Sequence, residues 1–248
     1  MSLFGNLKND GLEETQDRLG GGFGVKETAI YTGVVKALYA GESQGGAQSV
    51  TLILGLKDGS EYRETFYVTN KKKENFFLNR DDNSKKVPLP GFTIVDDICL
   101  VTSGAPLADQ QTEDKVVKIW DTDAKKELPK SVPMLVDVLG KELSLGVLKV
   151  LEDKTVKNQT TGEYEPNGET REVNVVDKVF HTETRMTVVE AREGADTAKF
   201  WDSWSERNNG KVRDKRKNKD GQAGKPGAPR PTSAPAAGAE AKKSLFQK

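Results

Sequence analysis

Ser49-Val50-Thr51-Leu52-Ile53-Leu54-Gly55-Leu56 is followed by Lys57-Asp58-Gly59, and then by Ser60-Glu61-Tyr62-Arg63-Glu64-Thr65-Phe66-Tyr67-Val68-Thr69. Both runs are rich in β-branched and aromatic residues, as strands are. The Asp58-Gly59 dipeptide between them tolerates the positive φ of a tight hairpin turn. Working outward, Ile30 to Tyr39 also follows a period of two. The three runs predict an antiparallel meander. Its third strand places Arg63, Thr65 and Tyr67 on one face and Glu64 and Phe66 on the other.

Beyond the meander, further strands are expected at Thr93 to Thr102, Val116 to Trp120, Met134 to Leu139, Ser144 to Leu151 and Arg171 to His181. The polar stretch Asn158 to Thr170 reads as the tip of a long hairpin between the last two. Thr187 and Glu190 form a capping-box pattern, and a second helix is expected from Asp196 to Asn208, ending at Gly210. Phe200, Trp201 and Trp204 fall at helical spacing there, which points to packing rather than to ligand stacking. Many short strands with little helix predict a mainly β fold, a closed barrel or sandwich.

The segment after Tyr67 carries distinctive chemistry. Lys71, Lys72 and Lys73 lie between Phe66-Tyr67 and Phe76-Phe77, with Arg80, Lys85 and Lys86 close behind. Aromatic rings stack on bases and cations neutralise phosphates, which is what holding single-stranded nucleic acid requires. The reading takes Tyr67, Phe76 and Phe77 as stacking residues. Arg63, Lys71, Lys72, Lys73, Arg80, Lys85 and Lys86 are taken as phosphate contacts. The competing reading puts Phe66, Phe76 and Phe77 in the core and leaves the lysines as a solvated loop.

Composition narrows the alternatives. The chain has 248 residues, 35% of them apolar and 31% charged, and no run long enough for a membrane-spanning helix. The first residues lack the basic and apolar regions of a secretory signal, and a single cysteine, Cys99, excludes an intramolecular disulfide. A cytoplasmic protein is expected, with neither a membrane nor a small-molecule substrate among its partners. The net charge of zero is uneven: residues 211–248 hold eleven Lys and Arg against three acids, so they carry +8 and the remainder −8. That stretch is rich in Lys, Gly, Pro and Ala and is expected to be disordered. At the other end, Asn9 or Asp10 caps a short expected helix, and Gly20-Gly21-Gly22 reads as a hinge rather than a phosphate loop, since no Gly-Lys-Ser/Thr follows.

Catalytic chemistry is thinly supplied. One histidine, His181, leaves no His-based metal cluster, and Cys99 sits in the apolar run Ile98 to Val101. Asp81-Asp82 and Asp96-Asp97 are the carboxylate pairs that a divalent cation or a metal-dependent nuclease would need, and neither has a third ligand spaced nearby. The chain is expected to be no enzyme and to need no cofactor or metal.

Three stretches carry a resemblance: Ser-Leu-Phe-Gly-Asn-Leu-Lys-Asn-Asp-Gly-Leu-Glu-Glu from Ser2, Tyr-Arg-Glu-Thr-Phe-Tyr-Val-Thr-Asn-Lys-Lys from Tyr62, and Lys-Val-Pro-Leu-Pro-Gly-Phe-Thr-Ile-Val-Asp-Asp-Ile-Cys-Leu-Val-Thr from Lys86. They resemble the single-stranded DNA-binding proteins of schitoviruses, the N-four-like podoviruses, over nearly the whole chain. The resemblance implies an OB-like barrel that coats displaced single strands in phage replication and recombination, and a role in activating host RNA polymerase at late promoters. Bacterial single-strand binders usually end in an acidic tip, whereas this chain ends Ala-Lys-Lys-Ser-Leu-Phe-Gln-Lys. If the transcription role carries over, Lys242, Lys243, Leu245, Phe246 and Lys248 are where a polymerase contact is expected.

The expected organisation is a flexible arm at 1–26, an OB-like single-strand-binding domain at 27–183, a helical segment packed on it at 184–210, and a disordered basic tail at 211–248. The alternative function is a non-enzymatic adaptor that recruits a polymerase or recombination partner, such as host RNA polymerase or phage replication proteins, through that tail.

Overall fold

A computed structural model of the chain describes residues 24–121, 124–159, 162 and 164–216. The expected N-terminal helix and the tail residues from 217 onward lie outside these.

The meander forms as its alternation predicts. β1 (Ala29–Glu42), β2 (Gln48–Leu56) and β3 (Glu61–Tyr67) pair antiparallel in sequence order, with Leu54 opposite Tyr62 and Ser49 opposite Tyr67. Gly59 takes the expected positive φ, +81°, in the turn between β2 and β3. A small hairpin follows, β4 (Phe76–Leu78) with β5 (Lys86–Pro88), which the polar composition between the two strands had hidden.

The expected strand at Thr93 to Thr102 is instead a helix, α1 (Pro90–Thr102). Pro90 sits in the first turn, where its missing N–H removes nothing and its fixed φ suits the helix. Ile94, Val95, Ile98, Cys99, Leu100 and Val101 are buried, and 94, 95, 98 and 99 recur at helical spacing along one stripe. The apolar run Ile98 to Val101 fits either period locally, so burial against the sheet decides.

Next come β6 (Thr112–Asp121) and β7 (Lys126–Leu135), an unbroken antiparallel hairpin. The expected Met134 to Leu139 strand is therefore displaced toward the N-terminus, because Val136 to Leu139 turns back with Leu139 N–H donating to the Val136 carbonyl at 3.2 Å. β8 (Glu142–Lys157) and β9 (Tyr164–Phe180) are longer than expected, and most of the polar stretch from Asn158 to Thr170 belongs to β9. The capping box forms as expected: Thr187 Oγ1 accepts from Glu190 N–H at 3.2 Å at the start of α2 (Val188–Arg192). α3 (Lys199–Asn208) follows, then β10 (Val212–Asp214), which runs parallel to β8. The stretch expected to begin a disordered tail at Lys211 thus adds a strand to the sheet before it leaves the described residues.

The result is mainly β with antiparallel pairing throughout except for β10. In the large sheet the order is β10-β8-β1-β2-β3, with β9 on the other side of β8 and β7 touching β1 at Tyr39–Met134. Closure of the barrel by a ladder is not made: among the described residues no hydrogen-bonded strand pairing joins β3 to β9. A side chain spans that seam instead. Glu64 Oε2 on β3 accepts from the Val176 N–H on β9 at 3.0 Å and from the Tyr62 hydroxyl.

Among the described residues three cores hold the layers. Val35, Leu38, Leu52, Leu54, Phe66, Leu143, Leu145 and Val147 pack with α1 inside the curved sheet. Each fully buried aliphatic side chain contributes roughly 1.5–3 kcal/mol there. On the outer face, Ala37, Tyr39 and Ile53 are covered by Val132 and Met134 of the β6–β7 hairpin. Phe180 and Trp204 join Leu148 and Val150 in the third, with the Trp204 ring against Gly146, where a Cβ would come within 3.0 Å of it. Trp204 Nε1 donates to Asp177 Oδ2 at 2.8 Å. As its helical spacing predicts, Trp204 is a packing residue.

Candidate nucleic-acid interface

β3 separates its residues cleanly by face. Tyr62 and Phe66 are buried, while Arg63, Thr65 and Tyr67 point outward and are exposed, Tyr67 to 55%. Thr65 Oγ1 lies 2.9 Å from Thr51 Oγ1, tying the outward row to β2. At the end of β3 the Val68 and Thr69 N–H groups both donate to the Gln48 carbonyl, at 3.0 and 3.3 Å. The backbone of Tyr67 is further braced by α1: a Cβ at Gly91 would collide with the Tyr67 carbonyl oxygen, so only glycine permits this approach.

The lysines that follow are held in a built turn. Asn70 N–H donates to the Glu74 carbonyl at 2.8 Å, and Asn70 Oδ1 accepts from the N–H groups of Lys72 at 2.8 Å and Glu74 at 3.0 Å. Asn70 Nδ2 donates to Glu74 Oε2 at 2.9 Å. An asparagine side chain bonding the backbone two residues on is a strong local turn former. Lys71, Lys72 and Lys73 are all exposed at its tip. Lys73 has φ +62°, a left-handed conformation that lysine adopts only against a steric penalty. Its Nζ lies 3.5 Å from Glu42 Oε1, and the methylenes of Lys71 lie over Gly45, so the β1–β2 turn packs beside the lysine turn.

The remaining sequence-predicted residues divide. Phe77 is 46% exposed on the β4–β5 hairpin. Phe76 is partly buried, and the Lys86 ammonium sits 4.3 Å from its ring centroid, so one ring face is already occupied by a cation. Lys85 is exposed and pairs with Asp82 at 3.2 Å. The Ser84 hydroxyl, Lys85 and the Ser84 N–H hold the Asp82 carboxyl below its ordinary range. Arg80 is exposed in the same connection. The structure thus joins Arg63, Tyr67, Lys71, Lys72 and Lys73 in one continuous run, and sets Phe76, Phe77, Arg80, Lys85 and Lys86 on the adjoining hairpin and its loop. Lys242, Lys243, Leu245, Phe246 and Lys248 lie outside the described residues.

Sequence reasoning missed three contributors. Asn70 shapes the turn, and its signal was the Asn-x-x-x-Glu spacing to Glu74. Gly91 seats α1 on Tyr67, legible only as a glycine after two prolines. Glu64 braces the strand from inside: burial pushes its carboxyl above the ordinary range despite the bonds from Tyr62 and Val176, and burial followed by Glu64 raises the Tyr62 hydroxyl likewise.

Residues of catalytic type are engaged elsewhere. Cys99 is buried and burial pushes its thiol up, away from the reactive thiolate. His181 Nδ1 lies 3.1 Å from Thr184 Oγ1 and accepts the Thr184 N–H at 3.2 Å. Asp96 accepts the Leu107 N–H at 2.8 Å. Among the described residues no three His, Cys, Asp or Glu side chains gather as a metal site would, and no helix is long and apolar enough to cross a membrane. No protein-family model matches the chain, and a comparison with curated proteins finds no match.

Proposed function

We propose that this protein binds single-stranded DNA with little sequence preference, on an OB-like barrel, and coats displaced strands in phage DNA replication and recombination. One observation carries the reading. An exposed aromatic ring, Tyr67, shares the outward row of β3 with Arg63, and the strand runs directly into a hydrogen-bonded turn bearing three exposed lysines. Ring and cations come together there. A base stacked on such a ring contributes roughly 1–3 kcal/mol, and every base has a π face, so sequence matters little. Lysines neutralise phosphates and release counterions. A duplex keeps its bases stacked inside and cannot use the ring.

The connectivity supports the OB-like reading. The three-strand meander is followed, after the β4–β5 hairpin, by helix α1, and then, beyond the β6–β7 hairpin, by β8 and β9, of which β8 returns to pair with β1. β9 comes alongside β3 through the Glu64 bridge rather than a ladder. OB folds are five-stranded, partly open barrels that take oligonucleotides on the face of the second and third strands and the loops beside it. In this chain the β6–β7 hairpin covers part of that face, leaving Ile53 of β2 buried and the β3 row open. The likeness to schitovirus proteins in the same Tyr62 to Lys72 block supplies the replication context.

The test is fluorescence anisotropy of a labelled oligo-dT and an equal-length duplex over a salt series. The single strand is expected to bind far more tightly. Replacing Lys71, Lys72 and Lys73 with alanine should lower the slope of log affinity against log salt by about 2, from roughly 0.7 per phosphate contact. Equal affinity for the duplex, or an unchanged slope, overturns the assignment.

A further inference from the structure

Among the described residues the β6–β7 hairpin has one face against the body and one edge unpaired. Val117 and Ile119 pack on the outer face of the sheet, while Val116 and Trp120, on the opposite face of β6, are 71% and 57% exposed. β6 pairs with β7 without a break from Thr112–Leu135 to Asp121–Lys126, and among the described residues it pairs with nothing on its other side. The far edge of β7 is blunted by Pro129 and Pro133, since proline sits in a ladder only where its missing N–H points away from it. β6 has no proline and no bulge along its ten residues. Native proteins rarely leave such an edge open, because it is a template for another strand.

The charges on β6 select which strand. If a second copy continues the sheet antiparallel through a two-fold axis, paired residues must share a face, so each register is centred on one residue opposite itself. Registers that pair at least seven residues are centred on Lys115, Val116, Val117 or Lys118. Centring on Lys115 or Lys118 opposes two lysines, and centring on Val117 opposes Glu113 with Asp121 twice. Centring on Val116 opposes no like charges. It sets Asp114 against Lys118 of the second copy on both sides of the axis, Val116 against Val116, and Thr112 against Trp120. Glu113 and Lys115 keep their 3.0 Å ion pair on the other face, opposite Ile119 and Val117. Opposite charges placed directly across a ladder stabilise it and like charges destabilise it.

We propose that two copies of this chain pair antiparallel along β6, in the register centred on Val116. The dimer is independent of the nucleic-acid reading, and its test uses the full chain without DNA. Sedimentation velocity over a range of concentrations should show a reversible monomer–dimer equilibrium. Lys118→Asp and Asp114→Lys should each weaken dimerisation about tenfold or more, because each inverts two cross-strand pairs. The double variant D114K/K118D should restore it, which no effect on folding would reproduce. In a second measurement, Val116→Cys should be linked to its copy by a short bis-maleimide, while Lys130→Cys on β7 should not. Cys99 is buried and stays silent. A monomer at every concentration, a double variant no better than the singles, or linkage of Lys130→Cys as fast as of Val116→Cys overturns the proposal.

Discussion

Tyr62, Glu64 and Phe66 face inward from β3; Arg63, Thr65 and Tyr67 alternate with them and face outward. The inward row is paired with the rest of the molecule at every position: Phe66 and Tyr62 lie in the main core, and Glu64 bridges to β9. Among the described residues the outward row has a single side-chain tie, Thr65 to Thr51, and its ring and guanidinium are exposed. On the proposed function, one strand serves two purposes at once. The lesson is that stability and binding should separate residue by residue along β3, with a period of two.

The strongest way to break that comparison is Phe66→Ala. Truncating a buried phenylalanine costs about 3–5 kcal/mol, so the denaturant midpoint should fall steeply. Whatever fraction remains folded should keep the wild-type salt slope for oligo-dT. Its neighbour gives the converse. Tyr67→Ala should cost roughly 1–3 kcal/mol of single-strand affinity while moving unfolding by less than about 0.5 kcal/mol, as exposed substitutions do. If Tyr67→Ala unfolds the protein as Phe66→Ala does, the two faces are not separate.

Lys73→Gly sharpens the comparison at the turn. Glycine relieves the positive φ, so stability should rise by about 1 kcal/mol, while single-strand affinity falls and the salt slope drops by roughly 0.7. A loss of binding in a more stable protein cannot be blamed on folding. Unchanged affinity would leave the Lys73 charge to its pair with Glu42.

The smallest effect concerns pH. Burial raises the folded Glu64 carboxyl above its unfolded value, so the folded state holds this proton more tightly. Its contribution to stability is fully present below the unfolded pKa and is lost as pH rises through the folded one. Chemical denaturation from acid to neutral pH should show that decline, and Glu64→Gln, which keeps an acceptor for Val176 and Tyr62, should flatten it. A decline of the same size in Glu64→Gln would assign it to other groups.

Much of the frame was legible. The β2–β3 hairpin followed from alternation around Asp58-Gly59, and the α2 start followed from Thr187 and Glu190. α1 was not legible, because Ile98-Cys99-Leu100-Val101 suits a buried strand as well as a buried helix, and only packing along 94, 95, 98 and 99 separates them. The ladderless β3–β9 seam was hidden for a related reason: a glutamate on the inward face of a strand reads as a fault in the pattern until Val176, more than a hundred residues away, supplies the donor.

By itself the sequence determined that Arg63, Thr65 and Tyr67 share a face and that three lysines follow them, since strand period and covalent order are local properties. Only the tertiary structure decided which aromatic rings stay open. Phe66 is taken by the core, Phe76 lies beneath Lys86, and Tyr67 and Phe77 remain in solvent. Exposure depends on what distant segments bring to cover a side chain, and that is a property of the packed chain.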